Sequence, residues 1–465
     1  MANAEARFVE GNLMRHVSVM SLTSSLGLMA IFAVDLIDVL FISMLGQEAL
    51  AAAAGYASIV MFFASAINIG LSVAAGALVA NSLGGGRDVP AREHAFSSSM
   101  FAIAFGVLIP LIMLPNLDFI LGLLGATGDV AGRAKDYLWI ILPTTFMSGL
   151  GMTTVAVLRA YGDGTRAMYP SLAGAIVNGV LDPIFIFSLS MGLEGAAWAT
   201  VAARLTTMLV ALWPAFRIYK AFAIPRMGCF IYDVREGMRI ATPAVLATIA
   251  TPVGAAIVTR EMAKYGTDAV AGMAIINRMI PVVFSVVLAL SGSIGPIMGQ
   301  NFGAGRLDRV RQTFFDGVVF AGFYVVGITA VLFVFRGHIA DLFGAEGEAR
   351  DLILLFCGPL ALASFFNAVI FVANASFNNL GHPGYSTWVN WGRQTIGTLP
   401  LILLGGALFG APGVLIGQAV GGVVFAAIAA WLSLWMITEQ SHPLRQLTCR
   451  FQLQRRMHEM YNRTA

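Results

Sequence analysis

The chain has 465 residues, of which 58% are hydrophobic and only 11% charged, with a net charge of +3. A soluble domain carries roughly 25% charged residues, so a water-facing surface, and with it a soluble enzyme, is excluded; the apolar excess also excludes intrinsic disorder. The small, dispersed net charge argues against a nucleic-acid partner, which leaves an all-α polytopic membrane protein.

The first residues, MANAEARFVEGNLMRHV, are polar and mixed in charge. They lack the features of a cleaved signal peptide, so the first membrane helix is expected to act as an uncleaved signal. Apolar runs then predict twelve spans, at about 14–44, 51–81, 94–114, 132–156, 167–190, 194–216, 236–262, 268–299, 312–335, 350–377, 386–409 and 412–437. Each reaches the roughly 20 residues that a membrane helix needs. All are too long and too continuously apolar for barrel strands. With the N-terminus inside, 19 of the 28 Lys and Arg fall on the inner side, the last five at Arg445, Arg450, Arg455, Arg456 and Arg463. Only six fall outside, and Arg204, Arg278 and Arg393 lie within helices. This asymmetry predicts both termini in the cytoplasm.

A repeat runs through the chain. GALVANSLGGGR (76–87) matches GPIMGQNFGAGR (295–306) at an offset of 219. LGATGD (124–129) and FGAEGE (343–348) match at the same offset, as do Gly162 and Gly381. Two six-helix lobes follow, 1–219 and 220–465, the second with a cytoplasmic tail. An even number of spans per half predicts a pseudo-two-fold axis along the membrane normal, with a cavity between the lobes.

Three lysines, none preceded by glycine, leave no Walker A motif, and so no nucleotide as partner or energy source. The glycine runs 84–86 and 303–305 read as tight turns. The six histidines and three cysteines have neither metal-ligand spacing nor a disulfide framework, and no cofactor is expected. The acids are more informative. Only Asp35, Asp38 and Asp182 lie well inside predicted helices, where a charge costs about 2.5–3.5 kcal/mol even on the lenient insertion scale. Asp35 and Asp38 share a helix face, as do Asn178 and Asp182. Carboxylates brought together in low dielectric cannot both ionise cheaply, which suits uptake and release of a proton. The same oxygens also suit Na⁺, and the bland alternative is a polar network that ties helices together. Met61 and Arg278 join Asp38, Asp182 and Asn178 as candidate substrate contacts. For Arg278 and Arg393, snorkelling or packing is the commoner role.

Taken together, the 6+6 repeat, VANSLGGGR with MGQNFGAGR, LRAYGDGTR, and AIVNGVLDPIFIF resemble the MATE multidrug and toxin extrusion family over essentially the whole chain. The resemblance implies an antiporter, not an enzyme, working as a monomer in a bacterial inner membrane. Its implied partners are the bilayer and diverse, often cationic drugs or toxins, expelled by inward H⁺ or Na⁺ flow. The chain looks most like the DinF-like branch, whose coupling residues match Asp38, Asn178, Asp182 and Thr200 here. The NorM-like branch uses acids in the C-terminal half, where this chain has Thr251 and an acid-free tenth helix. H⁺ is therefore the expected ion, with Na⁺ at the same four residues as the alternative. A flippase for lipid-linked saccharides is the rival of related fold, with Arg204, Arg278 and Arg393 as its few cavity cations. The stretch SLTSSLGLM lacks the proline that the family commonly carries early in the first helix; Pro243 is kept in the repeat copy, aligned with Ser24, and Gly27 is the alternative hinge. Asp35 adds an acid one turn before Asp38.

Overall fold

The computed structural model describes residues 6–45 and 48–439. The expected tail beyond Glu439, with its five arginines, lies outside them. The chain crosses as α1 (Leu13–Met44), α2 (Glu48–Gly84), α3 (Asp88–Leu123), α4 (Gly128–Ala160), α5 (Gly164–Ser188) and α6 (Gly192–Arg217). The second half runs α7 (Met227–Tyr265), α8 (Thr267–Val283 and Ser285–Gly303, bent by 45°), α9 (Leu307–Leu342) and α10 (347–379). The last stretch, Gly384–Glu439, is broken at Gly410, whose φ of 66° and ψ of −148° only glycine adopts readily. It therefore supplies two spans, α11 (384–409) and α12 (411–439), and the expected twelve are present. Large apolar side chains such as Leu111, Phe119, Phe323, Val334 and Leu404 stand on the outer surface, as lipid-facing helices require.

The repeat extends to the backbone. Gly86, Gly125, Gly128 and Gly162 take positive φ, and so do Gly305, Gly344, Gly347 and Gly381, each 219 residues on. Where the lobes cross, the correspondence becomes atomic. A Cβ on Gly84 would sit 1.9 Å from the Gln300 carbonyl oxygen, and one on Gly303 would sit 2.1 Å from that of Asn81. Asn81 Nδ2 donates to the Asn379 carbonyl at 3.2 Å, and Gln300 Nε2 to the Ala160 carbonyl at 2.7 Å. All three residue pairs keep the 219 offset, so the pseudo-two-fold axis passes between the two glycines. Gly86 and Gly305 are turn glycines as expected. Gly84 and Gly303 instead let two backbones touch.

This crossing lies in the half of the bundle that carries the N-terminus. On the same face Phe8 N–H donates to Gln300 Oε1 at 2.8 Å, Asn301 Nδ2 donates to the Phe8 carbonyl at 3.1 Å, and Arg309 Nη2 donates to the same carbonyl at 2.9 Å. The first residues thus strap α1 to the α8–α9 turn of the other lobe. Ser97 Oγ on α3 donates to Asp233 Oδ2 on α7 at 2.7 Å, with His94 Nδ1 3.0 Å from Oδ1. Among the described residues the hydrogen bonds between the lobes lie on this face. Helix α1 runs unbroken for 32 residues, with Gly27 packed against Ser171 of α5. Among the described residues Cys357 is a free, buried thiol.

Candidate functional site

Helix α5 is anchored at its first turn. Asp163 caps it, accepting from Arg166 N–H at 2.9 Å, Arg166 Nη1 at 2.6 Å and Tyr219 Oη at 2.6 Å. Burial pushes the Asp163 carboxyl up, but these hydrogen bonds and the guanidinium outweigh it and hold the group below the usual carboxylate range. At 1.5 Å per residue, Asn178 then stands roughly 20 Å along the helix, well inside the hydrocarbon. Beyond Asp182 comes Pro183, which has no N–H to donate, and the chain widens into a π-helical turn over Ile184–Ser188. Such turns recur at functional sites.

Asp182 is fully buried and Asn178 nearly so. Asn178 Nδ2 donates to Asp182 Oδ2 and faces both oxygens of Asp38, on α1, at 3.4 and 3.5 Å. The Asp38 and Asp182 carboxyls lie within hydrogen-bonding reach of each other. Asp182 Oδ1 is buried with no partner. Two carboxylates that face each other with one amide between them are short of a donor. A proton or a small cation would supply what is missing, and the all-oxygen donor set fits either. One turn further, Phe41 and Phe187 meet edge to face at 5.7 Å and hold α1 against α5.

Thr200 on α6 joins this group less directly. Its hydroxyl donates to the Ala196 carbonyl of its own helix at 3.0 Å and lies within reach of Tyr137. Tyr137, on α4, stands close enough to Asp38 and Asp182 to feel their charge. No sequence signal singled it out, because its partners lie on three other helices. Arg204 does not point into a cavity for cargo. It donates to the Ile141 carbonyl and Thr144 Oγ1, both at 3.0 Å, and so satisfies the break that Pro143 makes in α4. Above the pair, on the face away from the N-terminus, a cavity of about 710 Å³ is lined by Asp129, Asp136 and Glu194 with a single cation, Arg133.

Two expected residues stand apart, and a third joins only through its charge. Asp35 is exposed and takes no hydrogen bond from the described residues, but lies close enough to Asp38 for their charges to interact. Arg278 is exposed on α8. Met61 packs with the apolar cluster around Leu117 and Leu138. The structure brings neither Arg278 nor Met61 to Asp38.

The C-terminal lobe has its own polar interior. Helix α11 makes a second π-helical turn, over Arg393–Gly397. Arg393 and Gln394 line a cavity of about 90 Å³ with Asn367, Thr398 and Gln418. Arg393 Nη1 donates to Asn367 Oδ1.

The family model for MatE matches the chain twice, over residues 24–184 and 243–403, which reproduces the 219-residue offset. The chain is 28% identical to a FAD transporter of Shewanella oneidensis, over 89% of this chain and 93% of that protein. It is 24% identical to the multidrug export protein MepA of Staphylococcus haemolyticus, over 91% and 94%. A MOP-superfamily transporter from Pyrococcus furiosus shares the fold, with a TM-score of 0.87 at 20% identity, covering 95% of this chain and 99% of that one.

Proposed function

The chain belongs to the MatE family, and from that premise we propose that it is a proton-coupled exporter of amphipathic, often cationic compounds, working as a monomer in a bacterial inner membrane. The observation that carries the coupling is the buried Asp182 Oδ1, which has no donor beside Asp38. One proton shared between these carboxyls removes their repulsion and lets α1 settle on α5. With the proton gone, the two acids push those helices apart. Alternating access follows if cargo and proton favour different arrangements of that contact.

The Lys and Arg distribution puts the N-terminal face in the cytoplasm. On that reading the face where hydrogen bonds join the lobes is the cytoplasmic one, and the acidic cavity of the N-terminal lobe faces the compartment from which protons enter. Its carboxylates concentrate cations at the mouth. Asn178 and Thr200 complete the coupling set, in the manner of the DinF-like branch.

Purified protein in liposomes tests this, with ethidium as reporter and the pH and Na⁺ gradients imposed separately. Transport driven by the pH gradient without Na⁺, and absent in Asp38→Asn, is the expected result. A strict need for Na⁺ would replace the proton by a sodium ion at the same residues, and no ethidium movement under either gradient would overturn drug export in favour of a flippase. A second reading of the cargo has its own support: the FAD transporter similar to this chain matches nearly its whole length, and the C-terminal cavity is cationic. On that reading the cargo is a flavin nucleotide.

A further inference from the structure

We propose that the C-terminal lobe holds a binding site for an anionic group of the transported molecule, a phosphate or carboxylate, in the cavity walled by Arg393. The proposal rests on the second reading of the cargo above, an anionic flavin nucleotide rather than a cation, and deepens it by naming the residues that would hold its charge.

The guanidinium has five N–H donors. Among the described residues its hydrogen-bond partner is Asn367 Oδ1, and no carboxylate comes within ion-pair distance. The ion pairs of this lobe, Arg239–Glu236, Lys264–Glu261 and Arg350–Asp341, use other cations. The remaining polar neighbours, Gln394, Thr398 and Gln418, are neutral. Arg393 is half-buried beside the cavity; amide dipoles soften its charge without cancelling it, and a partly desolvated charge gains from a counter-ion that reaches it. An anion in the cavity meets that need with charge-assisted, fork-like bonds. The site is also preformed. Gln394 is wedged against α7 where Gly254 leaves room, since a Cβ there would lie 2.1 Å from Gln394 Oε1. The π-helical turn that begins at Arg393 fixes the direction of both side chains.

A second arginine repeats the pattern on the route between the lobes. Arg159 lines a cavity of about 50 Å³ bounded by α2, α4, α8 and α10, and its Nε is buried without a partner. A purely cationic cargo would meet repulsion at both places. A molecule with a flat apolar body and one anionic end would meet Arg159 in the cleft and Arg393 in the lobe.

The test uses a matched pair of probes, riboflavin and riboflavin monophosphate, which differ by one phosphate. Binding to the full-length protein in nanodiscs is followed by flavin fluorescence. The phosphate should tighten binding by about tenfold or more, the value of a charge-assisted contact. Arg393→Gln should bring the two affinities together, and Arg393→Lys should restore part of the preference; a folded, monodisperse Gln variant that keeps the full preference overturns the site. Equal affinities in the unaltered protein also overturn it. Ethidium transport in the same preparation judges the export reading separately, so its success beside equal flavin affinities would sink the anion site alone. Neutral and anionic nanodiscs distinguish two sources of the anion. A preference that persists in both assigns the pocket to a soluble ligand, and one that anionic lipid abolishes assigns it to a lipid headgroup.

Discussion

Helices α5 and α11 are repeat copies, yet their charges are opposite. Each makes a π-helical turn, over the last five residues of α5 and near the middle of α11, so the turns do not coincide in the repeat. Beside the turn, α5 carries Asn178 and Asp182 against Asp38, whereas α11 carries Arg393 and Gln394 against Asn367. The crossing of α2 and α8 behaves differently, because there even single hydrogen bonds are kept in register. Duplicated halves thus stay alike where they must fit each other and diverge where each faces what it binds. An interface between two copies constrains both at once, since a side chain added to Gly84 meets the Gln300 backbone and one added to Gly303 meets that of Asn81.

Breaking the charged side of this comparison should have the largest effect. Asp38→Asn or Asp182→Asn is expected to reduce drug resistance to background at normal membrane levels of the protein, measured as growth on an ethidium panel. Wild-type resistance in either variant would remove the acids from coupling. Next comes the symmetric side. Gly84→Ala and Gly303→Ala each force a methyl into a carbonyl and should cost about 1–3 kcal/mol, read as loss of thermal stability in detergent. Because both substitutions open one crossing, the double variant should fall short of the sum. Additive losses would mean that the crossing is not one unit. Asn81→Leu takes the donor from the Asn379 carbonyl, for about 1–2 kcal/mol, whereas Gln300→Leu strands both the Ala160 carbonyl and the Phe8 N–H and should cost more; equal values would mean that the Phe8 strap adds nothing.

A smaller effect is expected at the Asp163 cap. Its folded-state carboxyl is held below the usual range, so its contribution is present above the unfolded value near 4 and is lost as pH falls through the folded value. Asp163→Asn should therefore flatten the acid limb of a pH–stability curve and cost about 1 kcal/mol at neutral pH. The smallest effect belongs to Asp35→Asn. Exposed and hydrogen-bonded to none of Asp38, Asn178 and Asp182, with only its charge felt at Asp38, this variant should transport ethidium nearest to the unaltered rate; a loss as deep as that of Asp38→Asn would bring Asp35 into the coupling group.

Most of the architecture was legible because lipid enforces it. Long apolar runs, the 219-residue repeat and the intramembrane acids all follow from a solvent that hydrogen-bonds to nothing. Asp38, Asn178 and Asp182 were readable because a carboxylate in an apolar helix has no cheap structural excuse. Tyr137 was not, since a tyrosine among apolar residues is ordinary until three other helices surround it. Arg204 and Arg393 looked alike as lone arginines in helices. Only the fold distinguishes the one that satisfies a broken helix from the one that walls a cavity. The packing role of Gly84 and Gly303 was hidden by neighbouring glycines that do make turns.

The strap from the first residues to the α8–α9 turn bears on how the protein is made. Phe8 and its acceptor Gln300 are 292 residues apart. At roughly 5–20 residues per second, a ribosome needs on the order of 15–60 s to bring the acceptor out after the donor. In the last part of that interval, after residue 219 is made, the whole N-terminal lobe is present with its own beginning still unmoored. The seal on that face is thus a late event of biogenesis, and a chain halted after six helices cannot form it.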